Sequence, residues 1–75
     1  MIALEDKNST KPLYFQIYSQ IKKQIHEGRL KAGEKLYSKR KMAESLNVSI
    51  NTVETAYSQL LSEGFIGAKP KSGYY

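Results

Sequence analysis

The hydrophobic positions between residues 13 and 64 recur at helical spacing in three separate runs. In each run the apolar side chains are three or four residues apart, as on the buried face of an amphipathic helix. The runs are Tyr14, Ile17, Tyr18, Ile21 and Ile25, then Met42, Ala43 and Leu46, and finally Val53, Ala56, Tyr57, Leu60 and Leu61. They predict three helices, over residues 13–27, 39–46 and 50–63.

The polar residues around the second and third runs have the chemistry of helix ends. Ser38 precedes the second helix, where its hydroxyl can accept a hydrogen bond from the backbone amide of Arg40 or Lys41. Asn47 tolerates the left-handed conformation that ends a helix, and Ser49 is placed to cap the third helix. A short turn between two small crossed helices indicates a helix-turn-helix.

The segments on either side of the first helix are short. Residues 1–11 show no hydrophobic period, and we expect a flexible arm there. Pro12 suits the first turn of the helix, and Gly28 suits its end. Between the first two helices, residues 35–37 predict a very short strand.

The residues after Gly64, which ends the third helix, predict a β-hairpin. Residues 65–68 and 73–75 are the two strands, and residues 69–72 are the tip. Pro70 lies in the tip, where its missing N–H is not needed for strand pairing. The sequence therefore predicts a mainly α fold with a small β-hairpin, which is the winged helix-turn-helix.

Length and composition fit one small domain. The chain has 75 residues, of which 40% are hydrophobic, a normal fraction for a globular protein. We assign residues 1–11 to the arm and residues 12–75 to the domain. No apolar run approaches the ~18 residues of a membrane span, and no signal-peptide pattern opens the chain. The absence of cysteine suits a reducing compartment, so we expect a cytoplasmic protein that does not associate with membranes.

Few side chains are available for catalysis. His26 is the single histidine, and at a helix end its positive form would interact favourably with the helix dipole. Without cysteine or a cluster of carboxylates, neither a metal site nor a nucleophilic triad can be assembled. We expect no enzymatic activity, no metal and no cofactor in this chain.

The charge balance favours a polyanionic partner. Twelve basic residues against seven acidic ones give a formal charge of +5, which suits nucleic acid or an anionic membrane. Net charge alone is equally typical of a solubilising surface. The distribution distinguishes the two, because Lys39, Arg40 and Lys41 precede the third helix and Lys69 and Lys71 follow it.

Three segments together resemble the N-terminal domain of GntR-type bacterial transcription regulators. They are PLYFQIYSQIKKQIHEGRLKAGEKL, SKRKMAESLNVSINTVETAYSQLLSEGFI and KSGYY, and the resemblance covers residues 12–75. It implies a winged helix-turn-helix that binds DNA. The NTV and AYSQLLSEGF motifs and the SGYY ending most resemble the MocR branch, and the YtrA branch is second.

The MocR resemblance implies a longer protein. In MocR-like regulators this domain is followed by a linker and an aminotransferase-like domain, which binds pyridoxal phosphate and dimerises. The sequence ends within the second predicted wing strand, so we expect this chain to be part of such a protein. Any pyridoxal phosphate would then belong to the absent C-terminal domain.

The resemblance also implies which residues contact DNA. Its serine-x-arginine opening of the second helix matches Ser38 and Arg40, and its basic wing tip matches Lys71 and Gly73. The turn and the start of the third helix supply further contacts. We expect the DNA-binding residues to be Ser38, Lys39, Arg40, Ser49, Ile50, Asn51, Thr52, Lys69, Lys71, Ser72 and Gly73.

Two positions depart from the family pattern. Tyr37 stands where proline usually precedes the serine of the second helix, so the local turn is expected to differ. Ile50 stands where an arginine often reads guanine, so that contact is lost. Ile50 could instead touch a thymine methyl group.

Several of these residues have alternative roles. Asn51 can pair with adenine through two hydrogen bonds, or it is a residue of the first helical turn with little role in binding. Arg40 would bind phosphate or guanine, or else form an ion pair with Glu44 one turn away. Glu54 would repel phosphate or accept a hydrogen bond from cytosine. Lys69 would contact DNA or remain at a solvated tip.

The sequence thus predicts a sequence-specific DNA-binding domain. Its reading helix, residues 50–63, would enter the major groove, and its wing, residues 65–75, would lie on the flanking groove. We expect the full-length protein to bind a double-stranded operator as a homodimer. The alternative is a winged-helix protein-interaction module without a role on DNA, whose binding would depend little on salt.

Overall fold

The structure is a computed structural model that describes residues 11–31, 34–69 and 73–74, with only the backbone at Lys69. The described residues form three helices and a two-stranded antiparallel sheet. Most of the predicted arm, two residues of the first connection, and three residues of the wing tip lie outside the described part. The predicted contacts of the Lys69, Lys71 and Ser72 side chains therefore lie outside it as well.

The first helix, α1, spans Leu13–His26, one residue shorter than predicted. Pro12 is its N-cap, and the Pro12 carbonyl accepts hydrogen bonds from the amides of Phe15 and Gln16. Gly28 has a φ of 80°, a left-handed conformation that an L side chain would strain, so the helix ends there. This confirms the predicted role of Gly28.

Helices α2, Lys39–Leu46, and α3, Ile50–Ser62, form the helix-turn-helix. The Ser38 hydroxyl accepts from the Lys41 amide at 3.1 Å, and the Ser49 hydroxyl accepts from the Thr52 amide at 3.1 Å. Between the helices Asn47 has a φ of 55°, which reverses the chain within a few residues. The two predicted caps and the left-handed Asn47 are confirmed.

The core forms where α1 and α2 both pack against α3. Most residues of the predicted apolar runs are buried in it, and Ile25 and Leu61 are partly buried at its edge. Leu30, Leu36 and Ile66 from the connections close its ends. Tyr57 is 1% exposed and Tyr18 is 6% exposed, so both belong to the core, whereas Tyr14 is half-buried at its edge. A single small core of this kind leaves a narrow stability margin.

The wing is shorter than predicted. Strand β1 is Ala68–Lys69 and strand β2 is Gly73–Tyr74, with Ala68 opposite Tyr74 and Lys69 opposite Gly73. The prediction of a strand from Phe65 is wrong, because the Phe65 amide donates to the Leu60 carbonyl at 2.9 Å. That bond satisfies the end of α3 and keeps the backbone out of the sheet.

The predicted strand at residues 35–37 is not a strand either. The Leu36 amide donates to the Tyr74 carbonyl at 2.8 Å, but no ladder extends from this bond. The next carbonyl, of Tyr37, accepts instead from the Tyr57 hydroxyl at 2.7 Å. The Tyr37 carbonyl is therefore bound by a side chain of α3 and not by the backbone of a neighbouring strand.

Candidate nucleic-acid interface

One stripe of α3 faces away from the core. The buried positions occupy the opposite side of the helix, so the exposed residues follow one another at alternating intervals of one and three residues. The stripe begins at the turn of the helix-turn-helix and consists of Ile50, Asn51, Glu54, Thr55 and Ser58. An exposed polar stripe at the start of this helix is what enters a major groove in helix-turn-helix proteins.

Asn51 is the best-placed base reader on this stripe. Its side chain is exposed and makes no hydrogen bond with the described part of the chain. Its backbone carbonyl is already bound, since it accepts from the Thr55 hydroxyl at 3.0 Å. Both the amide donor and the amide acceptor of Asn51 therefore remain available, as a bidentate contact with adenine requires.

Ile50 presents an apolar surface next to Asn51. It is 44% exposed and is the one large hydrophobic residue with such exposure among the described residues. A single exposed isoleucine is an ordinary surface feature. Its place at the first position of α3 nevertheless suits contact with a thymine methyl group.

Ser49 and Thr52 are engaged with each other. Their hydroxyl oxygens are 2.8 Å apart, and the Ser49 hydroxyl also caps the helix. The pair fixes the first turn of α3, so the orientation of Asn51 is set by this cap. A phosphate would have to share these hydroxyls with the cap rather than replace it.

The three basic residues at the start of α2 have different surroundings. Lys39 Nζ lies 3.5 Å from Glu54 Oε2, and Lys41 Nζ lies 4.5 Å from the centre of the Tyr37 ring. Arg40 is exposed and forms no ion pair with the described residues, so the alternative pairing with Glu44 is not formed. Of the three, Arg40 is the one whose charge is unshared.

The environment of Lys39 stabilises its charged form. Interaction with the Tyr74 phenol and then with the Glu54 carboxylate raises the pKa of Lys39 above its usual value. Through its contact with Glu54, Lys39 links α2 to α3. The link between Lys39 and Glu54 gives Glu54 a cationic partner that neither predicted role included.

Gly73 has a structural reason to be glycine. Its φ is 100°, a conformation that an L side chain would strain. A Cβ at this position would lie 3.6 Å from the Lys35 side chain, which is an ordinary contact, so a substitution would be strained through the backbone and not through a clash. It pairs with Lys69 in the sheet, which brings the wing chain back toward Lys35.

Ser38, another predicted contact, is exposed at the start of α2. Its hydroxyl already accepts the capping hydrogen bond of that helix.

The start of α1 also belongs to this face, which the sequence did not indicate. Pro12, Leu13 and Tyr14 line a shallow depression of about 370 Å³ together with residues of α3, namely Asn51, Thr52 and Thr55. The two lining segments are separated by nearly forty residues in the chain. No local pattern could have revealed that they meet, because the packing of α1 on α3 determines it.

The described residues contain neither a group of metal ligands nor a membrane-spanning helix. No three histidine, cysteine, aspartate or glutamate side chains among them are grouped as metal ligands. None of the helices in the described ranges is both long and apolar enough to cross a membrane.

The fold and the exposed α3 stripe with its basic flank define a winged helix-turn-helix, DNA-binding domain. A family model described as "Bacterial regulatory proteins, gntR family" matches residues 13–75, nearly the whole chain. The chain belongs to this family. It is therefore a DNA-binding domain of this family.

Similar proteins are described as regulators. YdeL of Bacillus subtilis, an HTH-type transcriptional regulator, is 50% identical over 64 residues, which are 85% of this chain and 14% of YdeL. MocR of Rhizobium meliloti, described as a probable rhizopine catabolism regulatory protein, is 41% identical over 68 residues, or 91% of this chain and 14% of MocR. The chain thus spans about one seventh of the length of each.

Solved structures share the fold. YtrA from Sulfolobus acidocaldarius, a GntR-family transcription factor, has a TM-score of 0.86 and 45% identity over 92% of this chain and 72% of its own. The DNA-binding domain of AraR, solved in complex with its operator ORX1, has a TM-score of 0.86 over all of this chain and 94% of its own. At 20% identity, the AraR likeness concerns the fold alone.

Proposed function

We propose that α3 reads an operator in the major groove while the start of α2 and the wing hold the adjacent phosphates. The observation that carries this proposal is the free, exposed amide of Asn51 on the first turn of α3. Phosphate contacts position a protein on DNA, whereas contacts with base edges specify the sequence. Arg40 supplies an unshared charge for the first task, and Asn51 supplies a bidentate group for the second.

The same arrangement supports the remaining expected contacts. Ser49 and Thr52 lie at the N-terminus of α3, where helix amides attract a phosphate. Ile50 would meet a thymine methyl group. The side chains of Lys69 and Lys71 lie outside the described part, and we keep the expectation that they approach the flanking groove. AraR, a domain of the same fold, was solved on an operator, which supports this use of the fold.

We further propose that the full-length regulator acts as a homodimer in the cytoplasm. One domain offers a single reading helix, and two half-sites about one helical turn apart need two such helices. A single half-site seldom gives enough affinity for an operator, so the proposal includes a second copy. A double-stranded operator with twofold symmetry is the partner that this arrangement requires.

The MocR-like branch is our proposal for the rest of the protein. YdeL and MocR both extend far beyond the matched region, and the match covers 14% of each. The 45% identity to a YtrA makes the shorter YtrA-like organisation the alternative. In the MocR-like form pyridoxal phosphate would lie in the further domain, where it would serve for sensing rather than for catalysis. None of the described residues is proposed to hold it.

The proposal is tested by titrating the chain against random duplex DNA at several salt concentrations. Binding should tighten as salt falls, with a log–log slope of about 0.9 for each phosphate neutralised. Arg40→Gln should lower that slope by about one such unit. Arg29→Gln is the matched control, because Arg29 is equally basic and exposed but pairs with Glu27 beyond the end of α1.

Absence of binding at low salt would contradict the proposal and favour a protein-interaction module. Equal loss of slope in the Arg40 and Arg29 variants would show that net charge acts without the proposed face. For the branch, the full-length regulator should show the visible absorbance of bound pyridoxal phosphate. Full-length protein without that absorbance would favour the YtrA-like organisation.

A further inference from the structure

The reading helix carries a single charged residue, and that residue is acidic. Residues 50–62 include no lysine or arginine, and Glu54 is the one ionisable group with a full charge at neutral pH. It lies on the exposed stripe, three residues after Asn51 and four after Ile50. A carboxylate in the middle of a DNA-reading surface opposes the phosphate attraction on which DNA binding depends.

The structure gives this carboxylate a partner on α2. Glu54 Oε2 lies 3.5 Å from Lys39 Nζ, and the two side chains are 55% and 34% exposed. Both groups therefore remain in contact with solvent, and the pair can open without burying a charge. Lys39 is the first residue of α2, where the helix dipole disfavours a cation and favours an anion nearby.

Lys39 consequently has two competing anionic partners. One is Glu54 within the domain, and the other is a DNA phosphate approaching the start of α2. Random duplex DNA is bound almost entirely through phosphates. When Glu54 retains Lys39, one phosphate contact is lost and that binding is weaker. An operator adds base contacts through Asn51, which do not require Lys39.

We propose that Glu54 is a specificity-determining residue that holds Lys39 and thereby weakens binding to non-operator DNA. The inference rests on the proposed DNA-binding function of this face. It assigns the Lys39–Glu54 pair a role in discrimination rather than in stability, since an exposed pair of this kind contributes little to folding. Loss of the carboxylate should make the domain bind more tightly and less selectively.

The test compares Glu54→Gln with wild type on random duplex DNA and on an operator selected from a random duplex pool, across a series of salt concentrations. The ratio of operator to random affinity should fall in the variant, and an unchanged ratio would overturn the specificity role. At low salt we expect the variant to bind random DNA about two- to fivefold more tightly, the range that an exposed ion pair supports. Its log–log salt slope should increase by about 0.9, because one more lysine neutralises a phosphate. The substituted side chain is exposed, so circular dichroism should show an unchanged fold.

Glu27→Gln is the matched control. Glu27 is also an exposed glutamate with a basic partner, since its Oε1 lies 3.6 Å from Arg29 Nε. The substitution changes the net charge by the same amount. Glu27 caps the far end of α1, roughly 20 Å along that helix from the end that adjoins Asn51. Its effect on affinity and slope should be much smaller.

A second pair of variants tests whether Glu54 acts through Lys39. In a Lys39→Gln background, adding Glu54→Gln should no longer increase the salt slope. If Glu54→Gln still increased the salt slope by the full amount in the Lys39→Gln variant, Glu54 would not act by holding Lys39. If wild type binds random DNA and the two variants Glu54→Gln and Glu27→Gln change affinity and salt slope equally, the specificity role of Glu54 is wrong but the proposed DNA binding stands. Absence of wild-type binding would overturn both this inference and the proposed function.

Discussion

The hydroxyl of Tyr57 donates a hydrogen bond to the backbone carbonyl of Tyr37 at 2.7 Å. Tyr57 lies in the middle of α3, and Tyr37 is the residue before the cap of α2, so the bond fixes the two helices of the helix-turn-helix relative to each other. The Tyr57 ring also contacts the Tyr74 ring of the wing edge-on, with 4.9 Å between centroids. One core side chain thus connects α3 with α2 and with β2.

Tyr57→Phe should destabilise the domain by about 1 kcal/mol, the usual net contribution of one intramolecular hydrogen bond. The ring is retained, so packing in the core is unchanged. Urea denaturation followed by circular dichroism measures the difference. Tyr14→Phe is the control, because the Tyr14 hydroxyl has no hydrogen bond with the described residues and its loss should cost less. Equal losses from both variants would contradict the role of the Tyr57 bond.

Ionisation of the Tyr57 hydroxyl should lower the free energy of unfolding at alkaline pH. Burial, and then the neighbouring Tyr74 phenol, raise the pKa of Tyr57 above the ordinary tyrosine value of 10.0. The folded state therefore holds this proton more tightly than the unfolded state. Its contribution is complete below about pH 10 and is lost as the pH rises above that value toward the raised pKa. The urea midpoint of Tyr57→Phe should fall less steeply above pH 10 than that of wild type.

Acid should weaken the contact between α1 and the end of α3. The Tyr18 hydroxyl donates to Glu63, which also accepts from Gln59 at 3.1 Å. The bond from Tyr18 and then that from Gln59 lower the pKa of Glu63. Burial opposes this shift, and the charge of Lys22 adds to it. A lowered folded pKa means that this contribution is present above the unfolded value, near 4.5, and is lost as the pH falls below it.

Glu63→Gln should therefore reduce the difference between the urea midpoints measured at neutral and at acidic pH. Tyr18→Phe should reduce it as well, and the double variant should show little further change, because the two residues share one bond. Parallel loss of stability in wild type and Glu63→Gln on acidification would show that this contact does not contribute to the acid response.

Leu60 and Ile50 show how differently two apolar residues of one helix act. Leu60 is completely buried, whereas Ile50 is 44% exposed. Leu60→Ala should cost about 2–5 kcal/mol through lost burial and the cavity left behind, enough to unfold much of so small a domain. Ile50→Ala should change stability by less than about 0.5 kcal/mol while altering the preferred DNA sequence. Thermal unfolding of the two variants measures the contrast, which a large loss of stability in Ile50→Ala would contradict.

The helices could be predicted because their determinants are local. The apolar spacing gave the bounds of α2 without error, and Ser38, Asn47 and Ser49 each act through residues within one turn. Even the unusual Tyr37 does not disturb the Ser38 cap. Local hydrogen bonding is therefore sufficient to specify the helix-turn-helix.

The wing and the charge pairing could not be predicted in the same way. The length of β1 depends on the Phe65 amide bonding to Leu60, which competes with strand pairing. The pair between Lys39 and Glu54 joins residues fifteen positions apart, so neither the spacing nor the composition indicates it. These features arise from the packing of one element on another, and only the assembled fold determines them.

Asn51→Ala should reduce discrimination between an operator and random DNA by about 1–3 kcal/mol, the usual contribution of one bidentate base contact. The operator can be obtained by selecting bound sequences from a random duplex pool, and both affinities are then measured at one salt concentration. Lys71→Ala should weaken both complexes about equally, because a phosphate contact carries no sequence information. Ser58→Ala, further along the exposed stripe of α3, controls for a polar truncation away from the first turn. If Asn51→Ala and Lys71→Ala lowered operator and random affinity in the same ratio, the division between a base-reading helix and a phosphate-binding wing would be wrong.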